Sequence, residues 1–470
     1  MNANSALHIF DPRQAKTFRF VRCGYDDGTA ELVYAFDDGP ELSERIRFPA
    51  FSPSPLGGEG RGEGDDPVQR NAFTAALRML HLIAGISYYK ASVPLRIEVE
   101  TGALDDDTAG LLDTLYLHGL AEFAYRNGLD LRDRIAFPRV GKHTIPTPAL
   151  PLKGRGASCR ALVPIGGGKD SLVVVEALKA AGIDATATWV GASPLIAGVA
   201  ARTGLPTLNI GRELSPVLFE YNRMGAWNGH IPVTAINSAI LACAAVLYGF
   251  DAIVFANERS ASAATLEYAG GQVNHQWSKG WTFEKLFAEW LHAHVAADLD
   301  YFSLLRPYSE LAVTRAFAKS GAAYFDVFSS CNRNFRIRGP KPADRWCGQC
   351  PKCHFVFLAL APFLPKPRLL QIFGSNLLDD DAQAAGFDAL IEYRDHKPFE
   401  CVGEAREARA AFAVLAARPE WREDALVRRF REEIAPQLDG SQLALDSWLG
   451  PSGEHGVPER FADALEWIAS

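Results

Sequence analysis

The residues with the clearest chemical purpose are Ile165-Gly166-Gly167-Gly168-Lys169-Asp170-Ser171. They follow the apolar run Ala161-Leu162-Val163-Pro164 and lead into Leu172-Val173-Val174-Val175-Glu176-Ala177-Leu178. A strand, a glycine turn and a helix start are written in consecutive residues. Glycines let backbone N–H groups approach an anion closely, and a helix N-terminus adds the positive end of its dipole. Lys169 supplies a cation, and Asp170 and Ser171 fall in the first helical turn. The expected occupant is a phosphate chain. The alternative is a glycine turn that binds nothing.

Two familiar phosphate motifs are excluded by spacing. A P-loop needs Lys followed at once by Ser or Thr, and Asp170 intervenes. A Rossmann site needs a third glycine where Ser171 stands, and an acid near the end of the next strand. That strand, Ala185–Val190, runs into Gly191-Ala192-Ser193 instead. What remains resembles the PP-loop of the ATP pyrophosphatases, Ser-Gly-Gly-x-Asp-Ser, with Gly166 replacing the first Ser. The resemblance implies ATP held by Gly166, Gly167, Gly168, Lys169, Asp170 and Ser171, and release of pyrophosphate as AMP is attached to a substrate oxygen.

A second cluster is Cys347-Gly348-Gln349-Cys350-Pro351-Lys352-Cys353. C-x2-C-x2-C spacing lets thiolates converge on one soft tetrahedral ion, and Cys331 could complete the set. Structural zinc is the expected occupant; the alternative is a reduced cluster that only packs. His354, adjacent to Cys353, is awkwardly placed as a ligand. Arg333, Arg336, Arg338, Lys341 and Arg345 lie between or beside these cysteines. They suit an anionic substrate, and equally a solvated basic face.

Glu258, just past the apolar strand 252–256, is a candidate for magnesium or substrate; the alternative is an exposed loop acid. His230 could be a structural histidine. Tyr268 through Trp277, Lys279 and Trp281 read as a substrate loop with aromatic anchors, or as packing for the next helix. His396-Lys397-Pro398-Phe399-Glu400-Cys401-Val402-Gly403-Glu404 packs reactive groups into a turn. Glu404 could instead only favour the following helix's N-terminus.

These groups need elements to position them. Residues 1–155 read as an α+β module. Its strands lie at Phe18–Cys23, Glu31–Phe36 and Arg45–Phe48, with a hairpin turn at Asp26-Asp27-Gly28. Helices follow at Ala72–Tyr89 and Asp107–Arg126, the second closed by Asn127-Gly128. The Gly/Pro-rich stretch 52–66 reads as a mobile insert, and the Pro/Gly-rich stretch from Pro146 to Gly156 as a linker. Residues 156–365 alternate strand and helix, with strands at Ala185–Val190, Thr207–Ile210, Ala252–Ala256 and Tyr324–Phe328. Thr234 is the expected N-cap of a helix Ala235–Tyr248 stopped by Gly249. This rhythm predicts an α/β domain, a parallel sheet with helices on both faces and ligands at the carboxyl ends of its strands. Residues 366–470 read as mainly helical.

Bulk composition narrows the partners. The chain has 470 residues, 48% apolar and 22% charged, ordinary for a globular enzyme. A net charge of −8 argues against nucleic acid as a partner. The longest apolar stretch, Phe355 to Leu364, is too short for a bilayer and contains Pro362, and no basic-then-apolar leader opens the chain. A cytoplasmic enzyme with no membrane partner is the expectation.

In combination, the Phe18–Tyr25 opening, the Gly166–Ser171 loop, Trp346–Phe357 and His396–Glu404 resemble the ATP-dependent UDP-N-acetylmuramoyl-L-alanyl-L-glutamate epimerases, the MurL type. The resemblance spans nearly the whole chain. It implies inversion of the terminal L-glutamate of a UDP-muramoyl dipeptide in peptidoglycan precursor synthesis, with ATP and magnesium. The α-carboxylate would be adenylated so that the Cα proton becomes acidic. Lys169 and Asp170 would act at the phosphates, and Cys401 and Glu404 are the nominated proton-transfer groups. The zinc-like cysteines also suit a PP-loop enzyme that modifies a nucleobase or tRNA; a non-catalytic nucleotide-binding protein is the remaining alternative.

Overall fold

The structure, a computed structural model, describes residues 11–50, 67–139, 149–152, 159–336 and 340–470. The insert at 52–66, most of the linker between Pro146 and Gly156, and Arg338 lie outside the described residues.

Strands β1 (Thr17–Asp26), β2 (Thr29–Phe36), β3 (Leu42–Arg47) and β4 (Arg96–Val99) form the N-terminal part. Asp27 and Gly28 both take positive φ, 42° and 72°, as a tight two-residue hairpin turn requires. The helix expected at 72–89 starts earlier, at Pro67, and is interrupted at Gly85, where Phe20 leaves no room for a Cβ. The next helical stretch divides into Asp106–Gly119 and Ala121–Asn127, ending on left-handed Gly128 as expected.

Strands β5 (Arg160–Pro164), β6 (Asp184–Val190), β7 (Thr207–Glu213), β8 (Ala252–Phe255) and β11 (Asp300–Ser303) run parallel in the order β11-β8-β5-β6-β7. Strands β9 (Leu266–Tyr268) and β10 (Gly271–Val273) form a small separate hairpin. Burial alternates along the parallel strands. Leu162, Leu208, Ile210 and Ile253 face one core, together with the helix Val233–Tyr248. Ala161, Val163, Ala187, Ala252 and Val254 face the other, together with the helices Lys169–Ala180 and Glu310–Ser320. Strands buried on both faces explain the near-continuous apolar runs in the sequence.

The sheet continues beyond β7. Strand β3 pairs antiparallel with it, so nine strands run β11-β8-β5-β6-β7-β3-β2-β1-β4. A buried ion pair sits at this junction: Arg212 Nε donates to Glu44 Oε1 at 2.7 Å.

Two expectations fail. Tyr324–Phe328 is not a strand. Tyr324, Phe325 and Phe328 are buried, and the amides of Val327 and Phe328 both donate to the Tyr324 carbonyl at 2.9 Å. The spacing of these aromatics serves a helical turn, with Phe328 packed on Phe317 and Trp346. The fifth parallel strand is β11, which the sequence did not disclose. Thr234 is not an N-cap, because the helix begins one residue earlier, after Pro232, without a side-chain cap. From Lys366 onward the chain is helical turns and short helices, as expected, and no described helix is long and apolar enough to cross a membrane.

Candidate active site

The glycine turn sits where β5 ends at the C-terminal edge of the parallel strands. Gly167 has φ +87°, a conformation that side chains rarely adopt, and its Cβ would meet Leu195 at 3.0 Å. A Cβ on exposed Gly166 would meet nothing within 4 Å, so the front of the turn is open. Gly168 is the N-cap of the helix Lys169–Ala180, and no side chain caps it. The first-turn amides and the dipole therefore face the space in front of the loop.

Lys169 is buried at 3% exposure and bridges two carboxylates, Asp170 at 2.5 Å and Glu310. Burial alone would lower its pKa; the adjacent acids outweigh that and raise it. It remains a fixed cation behind the loop. Asp170 keeps a third of its side chain exposed, and although burial works the other way, Lys169 and Lys352 lower its pKa.

Glu258 follows β8, as expected, but it is buried rather than a solvated loop acid. Its carboxylate accepts from the Ser260 amide at 2.5 Å. Burial, with Glu407 and Asp170 nearby, pushes its pKa up to about 7. Glu310 and Glu407 are raised to about 7 for the same leading reason. Burial favours the neutral form of these three carboxyls, and a bound cation would favour their ionised form.

Arg306 organises this wall. It is 2% exposed and pairs with buried Glu284 at 2.7 Å, donates to the Glu258 carbonyl at 2.9 Å, and donates to the Lys279 carbonyl. Sequence reasoning missed Arg306 and Glu310, since neither belongs to a motif.

Cys331, Cys347, Cys350 and Cys353 converge, with sulfur atoms within 4.8 Å of one another. Individual separations are 3.5, 3.8 and 3.9 Å. A tetrahedral zinc with arms of about 2.3 Å has sulfur–sulfur edges of about 3.8 Å. All four are free thiols, so the donor set and spacing fit zinc, which would supply a structural cross-link. His354 is not among them; it pairs with Gln383 at 2.8 Å and stacks on Phe387. The cluster adjoins the loop. Two residues before Cys331, the Ser329 amide donates to the Gly167 carbonyl at 2.8 Å. Lys352, between Cys350 and Cys353, acts electrostatically on Asp170, Glu310 and Cys401.

The other basic residues do not converge. Arg345 binds the Phe325 and Phe328 carbonyls at 3.1 and 3.2 Å, which makes it a backbone clamp. Arg333 bonds Gln349, and Arg336 and Lys341 are exposed.

Cys401 lies in the turn before the helix Ala405–Ala417. Lys279 Nζ donates to its Sγ at 3.2 Å, and His275 acts on it electrostatically. His275 Nδ1 in turn meets Glu122, a 5%-exposed acid on the helix Ala121–Asn127. The His230 ring lies tilted against His275 with centroids 4.2 Å apart, and burial first, then His275, pushes its pKa down to about 4. Glu122, His230 and His275 lie close enough for a metal ion. Their contacts account for the cluster without one, because Glu122 pairs with His275 and Arg126 and lies 3.8 Å from His230. Against the effect of burial, Cys401 and Glu122 raise the pKa of His275 to about 9. Burial would raise the thiol's pKa, but Lys279, His275 and Lys352 bring it well below the usual range. His275 was not singled out in the sequence; Lys279 was, as part of the substrate loop.

Glu404 takes the structural alternative. It forms a capping box with Glu407, whose side chain accepts from the Glu404 amide at 2.9 Å.

The MurL N-terminal domain model matches residues 9–304, and the MurL C-terminal domain model matches 327–444. A protein of Xanthomonas oryzae pv. oryzae named UDP-N-acetyl-alpha-D-muramoyl-L-alanyl-L-glutamate epimerase is 58% identical over 96% of this chain and 97% of its own. A Salinispora tropica protein of the same name is 41% identical, over 96% of each chain. A Micromonospora protein of that name is 40% identical, over 96% of this chain and 98% of its own. Over nearly its whole length, then, this chain belongs to the MurL family.

Proposed function

We propose that this enzyme inverts the terminal L-glutamate of UDP-N-acetylmuramoyl-L-alanyl-L-glutamate, using ATP to activate the α-carboxylate. Family membership and the relatives' shared name support the epimerase reading. The observation that carries the ATP step is the open turn Gly166–Gly168 with Lys169 fixed behind it and an uncapped helix start at its edge. This is the reason for reading the loop as a PP-loop, and for a cytoplasmic enzyme that draws on nucleotide.

The chemistry explains the need for ATP. Taking the α-proton beside a free carboxylate would place a second negative charge next to the first. Adenylation turns the carboxylate into an electron-withdrawing mixed anhydride, and pyrophosphate leaves. The loop amides, Lys169 and the helix dipole hold the charge of the departing group. Asp170, Glu258 and Glu310 are the residues that would hold magnesium, which would neutralise the phosphates. Hydrolysis of the anhydride after inversion returns the carboxylate and AMP.

The test is a coupled assay of pyrophosphate release and glutamate configuration. Release stimulated by the UDP-muramoyl dipeptide, with D-glutamate in the product, is the expected result. Release stimulated only by RNA or a nucleobase would overturn it in favour of a base-modifying enzyme.

A further inference from the structure

Three basic residues act on one thiol in this protein. Lys279, in the turn after the β9–β10 hairpin, donates to Cys401 at 3.2 Å; His275, from the same turn, and Lys352, at the start of the helix Pro351–Leu360, act on it electrostatically. Glu400 is its acidic neighbour in the chain. Cys401 and Lys279 are both half-buried residues, neither of them sealed in the core. Lys279 also acts electrostatically on Asp170 and Glu258, which places the thiol beside the glycine loop's side of the molecule. An unpaired structural cysteine needs no such company; four of the other seven have the zinc-like arrangement.

We propose that Cys401, hydrogen-bonded by Lys279 at 3.2 Å, is the base that takes the Cα proton of the activated glutamyl residue, and that Glu122, paired with His275, is the positioning residue that orients that ring. This deepens the adenylation reading and rests on it. In the step, the Cα–H bond breaks and an S–H bond forms. The electron pair moves into the carbonyl of the mixed anhydride, giving a planar enolate. A proton derived from solvent water adds to the opposite face, and the sulfur's proton leaves to solvent. The arrangement Glu122–His275–Cys401 draws on the N-terminal part, the middle and the C-terminal segment. Glu122 and His275 belong to the MurL N-terminal domain and Cys401 to the C-terminal one, so the proposed base lies where the two meet.

The experiment uses the full chain with ATP, magnesium and the UDP-muramoyl dipeptide in deuterium oxide. Two quantities are read: exchange of labelled pyrophosphate into ATP, and deuterium at the glutamyl Cα. Cys401→Ser should keep pyrophosphate exchange within tenfold of the parent, which also reports that it folds, and should lose Cα deuteration by at least about a thousandfold. Deuteration near the parent rate in that variant would overturn the proposal. So would a glutamyl thioester trapped on Cys401, which would make the sulfur a nucleophile instead of a base. If the parent deuterates Cα without pyrophosphate exchange, the adenylation reading fails, while loss of deuteration in Cys401→Ser still supports the base. For the supporting groups, Lys279→Met should shift alkylation of the Cys401 peptide by iodoacetamide to higher pH, and Lys279→Arg should restore it. An unshifted profile would remove Lys279 from the proposal.

Discussion

The glycine loop gathers its chemistry within the consecutive residues Ile165 to Ser171, whereas the surroundings of Cys401 come from stretches near 122, 275–279 and 352. The first is a local device: one strand, one turn and one helix start place every group. The second exists only after the whole chain has folded. A local device tolerates change elsewhere and is sensitive at its own residues. An assembled one is sensitive at every element that brings a partner to it. Arg306 and the cysteine cluster belong to that supporting class, yet both also reach the loop, through Glu258 and through Ser329.

This contrast can be broken or sharpened by experiment. Removing metal from the cysteine cluster should have the largest effect. A structural zinc contributes on the order of 10 kcal/mol in small domains. Chelation is expected to release one zinc per chain, lower the melting temperature and abolish both pyrophosphate exchange and Cα deuteration. Loss of deuteration alone would show that the loop does not depend on Ser329. Arg306→Met comes next, because it leaves Glu284 buried and unpaired, at a cost of about 3–5 kcal/mol; denaturant unfolding measures it. Lys169→Met should reduce pyrophosphate release by about 10²–10³-fold, equivalent to about 2.7–4 kcal/mol. Because Cys401 lies outside the loop, iodoacetamide should still find it reactive in that variant.

Much of this could be read from the residues, and the failures are informative. The N-terminal hairpin, the apolar β8 and the left-handed glycines at 128 and 249 announce themselves through local rules. The cysteine cluster does so through ligand spacing. Strand β11 did not, because Asp300–Ser303 is only four residues long and mixes polar with aromatic groups. Tyr324–Phe328 misled because buried aromatics in a short run satisfy a turn as well as a strand. In the site, Cys401 and Lys279 were visible as reactive types in dense turns, but their contact was not. Glu122 carries no local signal, and His275 lies inside the stretch read as a substrate loop without being singled out; only folding makes the two neighbours. Glu404 stood in the same turn, and its position one residue before a helix makes it that helix's cap.

Two smaller effects complete the series. The carboxyls of Glu258, Glu310 and Glu407 are raised from 4.5 to about 7 by burial, foremost. The folded protein therefore retains protons that the unfolded chain has released. Stability from this source is complete below about pH 4.5 and is lost as pH rises through 7. Melting temperature should fall between pH 5 and 7.5, and Glu258→Gln should make that fall shallower. A flat profile would show that the acids ionise freely. Glu404→Ala should be the mildest change, costing about 1 kcal/mol of stability through loss of the cap. Its turnover should stay far above that of Cys401→Ser; equal losses would put Glu404 back among the proton-transfer groups.

The pairing of β3 with β7 has a practical consequence for anyone dividing this chain. Cutting away everything before the glycine loop's strand would strip β7 of a neighbour and leave the amides and carbonyls near Gly211–Glu213 unsatisfied. Bare rims of that kind recruit other copies, so the shortened polypeptide should self-associate. Trimming from the front would thus yield clumped material where a free-standing nucleotide-binding unit was sought.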